Sequence, residues 1–216
     1  MTPLRTLQAY AQAPRPKPRA EEKCELCGIV IPPRHRHLID LEKRSLCCGC
    51  QACSLLFMKA GAAGGRYRTI PDRIRVDPTF TLTDALWAKL EIPVRLAFVF
   101  FNSRQQRWVA LYPSPAGATE SQLGLQAWAE LAASSRLIGA IEPDVEALLA
   151  WAPRGRTEFE TYLVPIDACY ELVARVRRNW RGFDGGDGVR KELGDFFVQL
   201  RTRSRALRPA APGGTP

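Results

Sequence analysis

Six of the chain's seven cysteines and both of its histidines lie between Cys24 and Cys53. Cys24-Glu-Leu-Cys27 and Cys50-Gln-Ala-Cys53 are two C-x2-C pairs separated by 22 residues. Paired thiolates at this spacing supply the four soft ligands of a closed tetrahedral zinc or iron site. Each pair needs a tight turn that aims two sulfurs at one ion. Gly28 follows the first pair, where positive φ lets backbone amides turn toward the sulfurs. Ser54 takes that place in the second pair, so its turn is expected to be less favourable.

Cys24, Cys27, Cys50 and Cys53 are therefore the predicted ligands, with Cys48 and His37 in reserve. Cys48-x-Cys50-x2-Cys53 is itself a chelating run, and His37 in place of one thiolate would make a Cys3His site. His35 and Cys47 complete the surplus of donors. Adjacent Cys47 and Cys48 point in different directions, so one ion is expected. Zn2+ suits the ligand type and spacing best; iron, as a rubredoxin-like centre or an Fe–S cluster, is the alternative. The second pair lacks the glycine of a rubredoxin pair, which weakens iron. Four thiolates leave no open position, so the metal reads as structural. Met1–Tyr10 has no apolar run of a secretory signal, and Pro14, Pro16 and Pro18 follow. A cytoplasmic chain with thiols in place of disulfides is the expectation.

The elements around the cysteines follow from composition. Residues 1–23 are a proline-rich, extended lead-in, and 24–58 are the metal module. Ile29–Ile31 and Leu38–Leu41, split by Pro32-Pro33, read as two short β-rich runs of a zinc-ribbon-like unit. So small a unit buries too little to fold alone, and metal binding would contribute much of its folding free energy. A Gly/Ala linker spans 59–66, an α+β domain 67–205, and a disordered tail 206–216. Within the α+β domain, strands are predicted over Tyr67–Ile70, Arg73–Val76, Val94–Phe101, Trp108–Tyr112, Val145–Ala150 and Phe159–Val164. Helices are predicted over Asp84–Leu90, Gln122–Ala133, Ile166–Trp180 and Gly188–Arg203. Asn102–Gln106 joins two strands as a hairpin, so the sheet should be mostly antiparallel. The last two helices carry apolar stripes through Cys169, Leu172, Val173, Val176 and Trp180, and through Val189, Leu193, Phe196, Phe197 and Leu200. The fold class is α+β with C-terminal amphipathic helices.

Charge and motif content narrow the function. The net charge is +9, with the excess in the cysteine module and both ends, while residues 67–170 are slightly acidic. Such ends could attract an acidic protein surface or nucleic acid, the latter as a lesser alternative, though solvated helix faces account for most of them. No run reaches the ~20 apolar residues of a membrane-spanning helix. No histidine lies outside the metal module, so the main domain has no Ser–His or Cys–His pair of its own. Cys169 lies on an apolar helix face and reads as a small hydrophobe. The stretch 112–121 lies between a strand and a helix. There Ser114, Thr119 and Ser121 are candidates for a ligand or anion loop. Thr119-Glu120-Ser121-Gln122 equally matches a helix capping box.

The combined pattern resembles a known family. It comprises Cys24-x2-Cys27, His35-Arg-His37-Leu38 and Cys48-x-Cys50-x2-Cys53 with Leu55-Leu56-Phe57. Asp84-Ala-Leu-Trp87, the run Tyr112–Ser121, Glu142-Pro-Asp144 and Leu163–Asp167 with Cys169-Tyr170 complete it. Together these are similar to the DUF5947 proteins, an uncharacterised bacterial family typically encoded beside actinobacterial-type [NiFe] hydrogenase subunits. The resemblance implies that Cys48 belongs with Cys50 and Cys53, and it raises the standing of the 112–121 stretch. It also implies a protein partner: a [NiFe] hydrogenase subunit or maturation factor. The sequence as a whole predicts a non-enzymatic, zinc-binding accessory protein that docks a partner through its basic surface. An iron-containing redox carrier and a zinc-ribbon nucleic-acid binder are the alternatives.

Overall fold

The structure is a computed structural model that describes residues 21–59, 61–182 and 185–207. Residues 1–20 of the expected 1–23 lead-in and residues 208–216 of the expected tail lie outside the described residues.

The cysteine module is built on a β-hairpin. Strands β1 (Arg36–Asp40) and β2 (Ser45–Gly49) pair antiparallel with Leu38 opposite Cys47 and His37 opposite Cys48. Side chains alternate faces along a strand, so these two cross-strand pairs lie on opposite sides of the hairpin. A short helix, α1 (Gln51–Leu56), follows immediately. Ile29–Ile31, expected as a strand, forms only an isolated bridge between Val30 and Lys23. Its β-propensity is overridden because the first knuckle takes the preceding backbone: the Cys24 amide donates to Ile29 and the Gly28 amide to Cys24. After a 3-10 turn at Ala62–Gly65 comes β3 (Tyr67–Thr69), expected to open the main domain. It pairs antiparallel with β1 instead, giving a three-stranded sheet in the order β2-β1-β3.

The main sheet has eight strands. They are β4 (Arg75–Val76), β5 (Leu82–Thr83), β6 (Leu96–Asn102), β7 (Arg107–Ser114), β8 (Gly117–Ser121), β9 (Glu146–Trp151), β10 (Glu158–Pro165) and β11 (Arg205–Ala206). The order is β11-β4-β10-β9-β6-β7-β8, with β5 paired to β10 off that path. Every pairing is antiparallel except β11 with β4. The coarse expectation of a mixed α+β fold with mostly antiparallel sheets therefore describes the structure. Ala206, placed in the tail from sequence, belongs to β11.

Both faces of this sheet are covered, and the alternation of side chains shows how. Phe98, Ala147, Leu149, Tyr162 and Val164 pack on α5 (Ile166–Asn179) and α6 (Gly186–Arg203). Their neighbours Ala97, Val99, Leu148, Ala150 and Leu163 pack on the other side. There lie α2 (Asp84–Lys89), α3 (Leu125–Ser134) and α4 (Arg136–Gly139). A strand buried on both faces reads as a continuous apolar run, which is why Leu96–Phe101 shows no alternation. The predicted stripes of α5 and α6 are the faces that meet the sheet, with Cys169, Leu172, Phe197 and Leu200 all fully or nearly enclosed.

Candidate metal centre

The structure brings the Sγ atoms of Cys24, Cys27, Cys50 and Cys53 within 4.8 Å of one another. Cys24, Cys50 and Cys53 are buried and Cys27 is exposed at the rim. All seven cysteines are free thiols. The Cys27 and Cys50 sulfurs are 3.7 Å apart. A tetrahedron with metal–sulfur bonds of ~2.3 Å has edges of ~3.8 Å, so this pair already has the separation of two thiolates on one ion.

Each knuckle aims amides at its sulfurs by a different device. In the first, the amides of Leu26 and Cys27 reach the Cys24 sulfur, and the turn is closed by Gly28, which takes a φ of 77° and donates its amide to the Cys24 carbonyl at 2.8 Å. A side chain at this φ would be strained, which accounts for glycine directly after Cys27. The second has no glycine and needs none. Cys50 is the N-cap of α1, and its sulfur accepts from the Cys53 amide at 3.3 Å. The expected weakness of the Ser54 turn is therefore replaced by a helical start, with the Ser54 amide donating to the Cys50 carbonyl.

The thiol acidities reflect four sulfurs sharing one small space. Burial raises Cys24, but amides of Cys50, Cys27 and Leu26 outweigh it and bring the thiol down to about 6. Burial, reinforced by contacts with the other three sulfurs, pushes Cys53 up to about 12. One thiolate is favoured and the last is opposed, as expected when negative charge gathers without a cation to offset it. A divalent ion reverses that balance by holding all four as thiolates. The donor set fits a metal ion on its own chemistry: four soft ligands, an apolar wall of Ile31 and Leu26, and amides directed at sulfur.

The reserve ligands lie elsewhere. Cys48 and His37 are not part of the four-sulfur cluster; with His35 they form a separate group whose donor atoms lie within 4.8 Å of one another. Cys47 faces the other side of the hairpin, with Leu38. The His37 imidazole is hydrogen-bonded through Nδ1 to Asp167 at the start of α5, at 2.8 Å, and that bond raises its pKa above the ordinary value. No sequence signal marked Asp167 as a partner of the module, because the contact spans 130 positions.

The 112–121 stretch is not a loop. Tyr112, Pro113 and Ser114 end β7, and β8 returns as the second arm of a hairpin, with Ser114 opposite Gly117 and Ala110 opposite Ser121. The Thr119 hydroxyl donates to Ser114 Oγ at 2.8 Å, and the Ala116 amide also donates to that oxygen. The Ser114 and Thr119 hydroxyls thus bond within the hairpin, and Ser114, Thr119 and Ser121 lie on its strands, not on the loop expected between a strand and a helix. The capping box fails likewise. Glu120 reaches across the strands to Arg107 at 2.8 Å, and α3 is capped by Gly124.

The fold and cluster define a module with four converging cysteines that could hold a metal ion, joined to a mostly antiparallel α+β domain. Residues 23–204 match a family described as a family of unknown function (DUF5947), and the chain belongs to it. No curated protein and no solved structure matches the chain. No helix among the described residues is long and apolar enough to cross a membrane.

Proposed function

We propose that this chain is a zinc-binding accessory protein of the cytoplasm, in which the four-cysteine ion fixes the shape of a module that docks a partner protein. The observation that carries the reading is the convergence of four sulfurs from two knuckles on one point, three of them buried. A closed thiolate shell favours zinc in a structural role over a metal that must bind substrate. Surface chemistry supports docking. The module exposes Ile29 and Val30 at its first knuckle and Leu55, Leu56 and Met58 around α1, each at least half accessible. Exposed large apolar side chains, with Ile29 and Val30 lining the same cleft as the basic Arg34 and Arg36, are the composition of a protein-binding surface rather than of a purely electrostatic one. The apolar component is an addition to the basic docking surface expected from sequence. A [NiFe] hydrogenase subunit or its assembly machinery is the partner that the family resemblance implies.

Metal analysis with an absorption spectrum tests the first part. Zinc bound to a colourless wild-type protein, and lost from a Cys27→Ser variant along with the module's slow amide exchange, is the expected result. Iron with charge-transfer bands would make the cluster a redox centre and overturn the structural reading. The partner is tested by mixing the purified chain with purified hydrogenase subunits. A complex formed by wild type and weakened by Leu56→Glu is expected, and failure of every subunit to bind would remove that assignment.

A further inference from the structure

We propose that His35, His37 and Cys48 form a second metal site, for a divalent cation of the zinc type, separate from the four cysteines. Their donor atoms lie within 4.8 Å of one another, and none of the three belongs to the four-sulfur cluster. Imidazole and thiolate together suit borderline-soft divalent ions of this kind.

The hairpin explains the grouping. His37 and Cys48 are direct cross-strand partners, so their side chains share one face of the β1–β2 pair. His35, two residues before His37, is brought to the same side, with the two imidazole centroids 4.9 Å apart. Clustering of histidines by itself is common in folded proteins, but here each ring is already oriented as a ligand would be. His37 donates from Nδ1 to the Asp167 carboxylate at 2.8 Å. His35 donates from Nδ1 to the Pro32 carbonyl at 2.9 Å. A carboxylate or backbone carbonyl on one ring nitrogen fixes the tautomer that leaves the other nitrogen's lone pair for a metal. On both rings that nitrogen is Nε2.

An independent observation points to a ligand. The His35 side chain is only 6 % exposed, and its Nε2 is buried with no hydrogen-bond partner. An enclosed lone pair without a partner is costly, and a bound cation removes the cost. Three protein donors would leave a coordination position. The two histidines line a cleft of about 1210 Å3 that also includes Asp167 and Arg175. The site is thus open where the four-cysteine centre is closed, and its ion should exchange more readily.

The test counts metal in the full chain. Purified protein is equilibrated with micromolar zinc, freed of unbound ion and analysed by mass spectrometry. Wild type should hold one more zinc ion than either His35→Ala/His37→Ala or Cys48→Ser. The cysteine variant keeps both imidazoles and the His37–Asp167 bond, so it carries the test if the double variant does not fold. With cobalt as the probe, Cys48→Ser should remove one set of thiolate charge-transfer bands and leave that of the four cysteines. Equal metal content in wild type and Cys48→Ser would overturn the proposal. Iron at the four cysteines would leave this zinc difference unchanged, so the two sites stand or fall separately.

Discussion

Asp40 is 1 % exposed at the end of β1, where its Oδ1 accepts from the amides of Glu42 and Lys43 and its Oδ2 from the Arg66 guanidinium. The Arg66 bonds outweigh the penalty of burial and, with the two amides, hold the carboxyl down at about 2, from an ordinary 3.8. A depressed carboxyl stabilises the fold above its unfolded pKa, and that contribution is lost as pH falls through the folded value. Stability of the module should therefore decline between about pH 4 and pH 2. Asp40→Asn should cost about 2 kcal/mol at neutral pH and flatten that acid decline. Urea titrations of both proteins at several pH values check it. An unchanged acid profile in the variant would assign the decline to other carboxylates. The same residue scale shows where sequence reasoning reached its limit at the cysteine cluster. Spacing alone identified Cys24, Cys27, Cys50 and Cys53, because two C-x2-C pairs dictate their own local geometry. It could not show that Cys48 stands apart from Cys50 and Cys53 with His35 and His37, because that depends on hairpin register. One residue's shift would exchange the faces of Cys47 and Cys48.

Among the elements, α3 depends on a close backbone approach. Gly124 caps it, and its amide donates to the Leu90 carbonyl at 3.1 Å, just beyond α2. A β-carbon at Gly124 would lie 2.4 Å from the Lys89 carbonyl oxygen. Backbone cannot yield as a side-chain tip would, so Gly124→Ala should cost about 2 kcal/mol, measurable by chemical denaturation. Near-wild-type stability would show that α2 and α3 can separate without loss. The elements that were legible beforehand had strong period or length. These were the amphipathic stripes of α5 and α6, the apolar run of β6 and the Thr83-capped α2, whose Leu86 amide donates to the Thr83 hydroxyl. Four strands escaped notice, one of them the two-residue β5 that runs directly into α2; the others did so for separate reasons. The cysteines of β2 drew attention as ligands, not as strand residues. Thr119-Glu120-Ser121 in β8 imitates a capping box, and only the cross-strand bond of Glu120 to Arg107 shows otherwise. β11 is two residues long and lies beyond the last helix, where little local signal exists.

Across the whole molecule, two arginines fasten the cysteine module to the main sheet. Arg68 of β3 donates to the Pro143 carbonyl at 2.6 Å and to Glu142 at 3.3 Å. Arg73, in the segment that follows, makes a bidentate pair with Glu146 at 2.6 and 2.8 Å. Glu146 is fully enclosed at the start of β9. Removing one partner of a buried pair leaves the other charge uncompensated, so Arg73→Ala should destabilise the protein by about 3 kcal/mol. Glu146→Gln added to that variant should recover part of the loss. Thermal denaturation of the two variants and wild type measures both steps. A double variant no more stable than Arg73→Ala would show that the arginine acts through packing of its stem and not through charge.

β3 also decides how the polypeptide can be divided. A chain severed in the glycine-rich stretch before Tyr67 would keep all four clustered cysteines, yet Leu38, Ile39 and Asp40 would lose the neighbour that occupies their outer side. The freed amides and carbonyls of β1 would then be a template for another copy, so the liberated piece should stick to itself even when fully metallated. Metal-driven folding of the small unit and solubility of that unit are therefore different properties, and the second is supplied by residues that composition alone assigns to its larger neighbour.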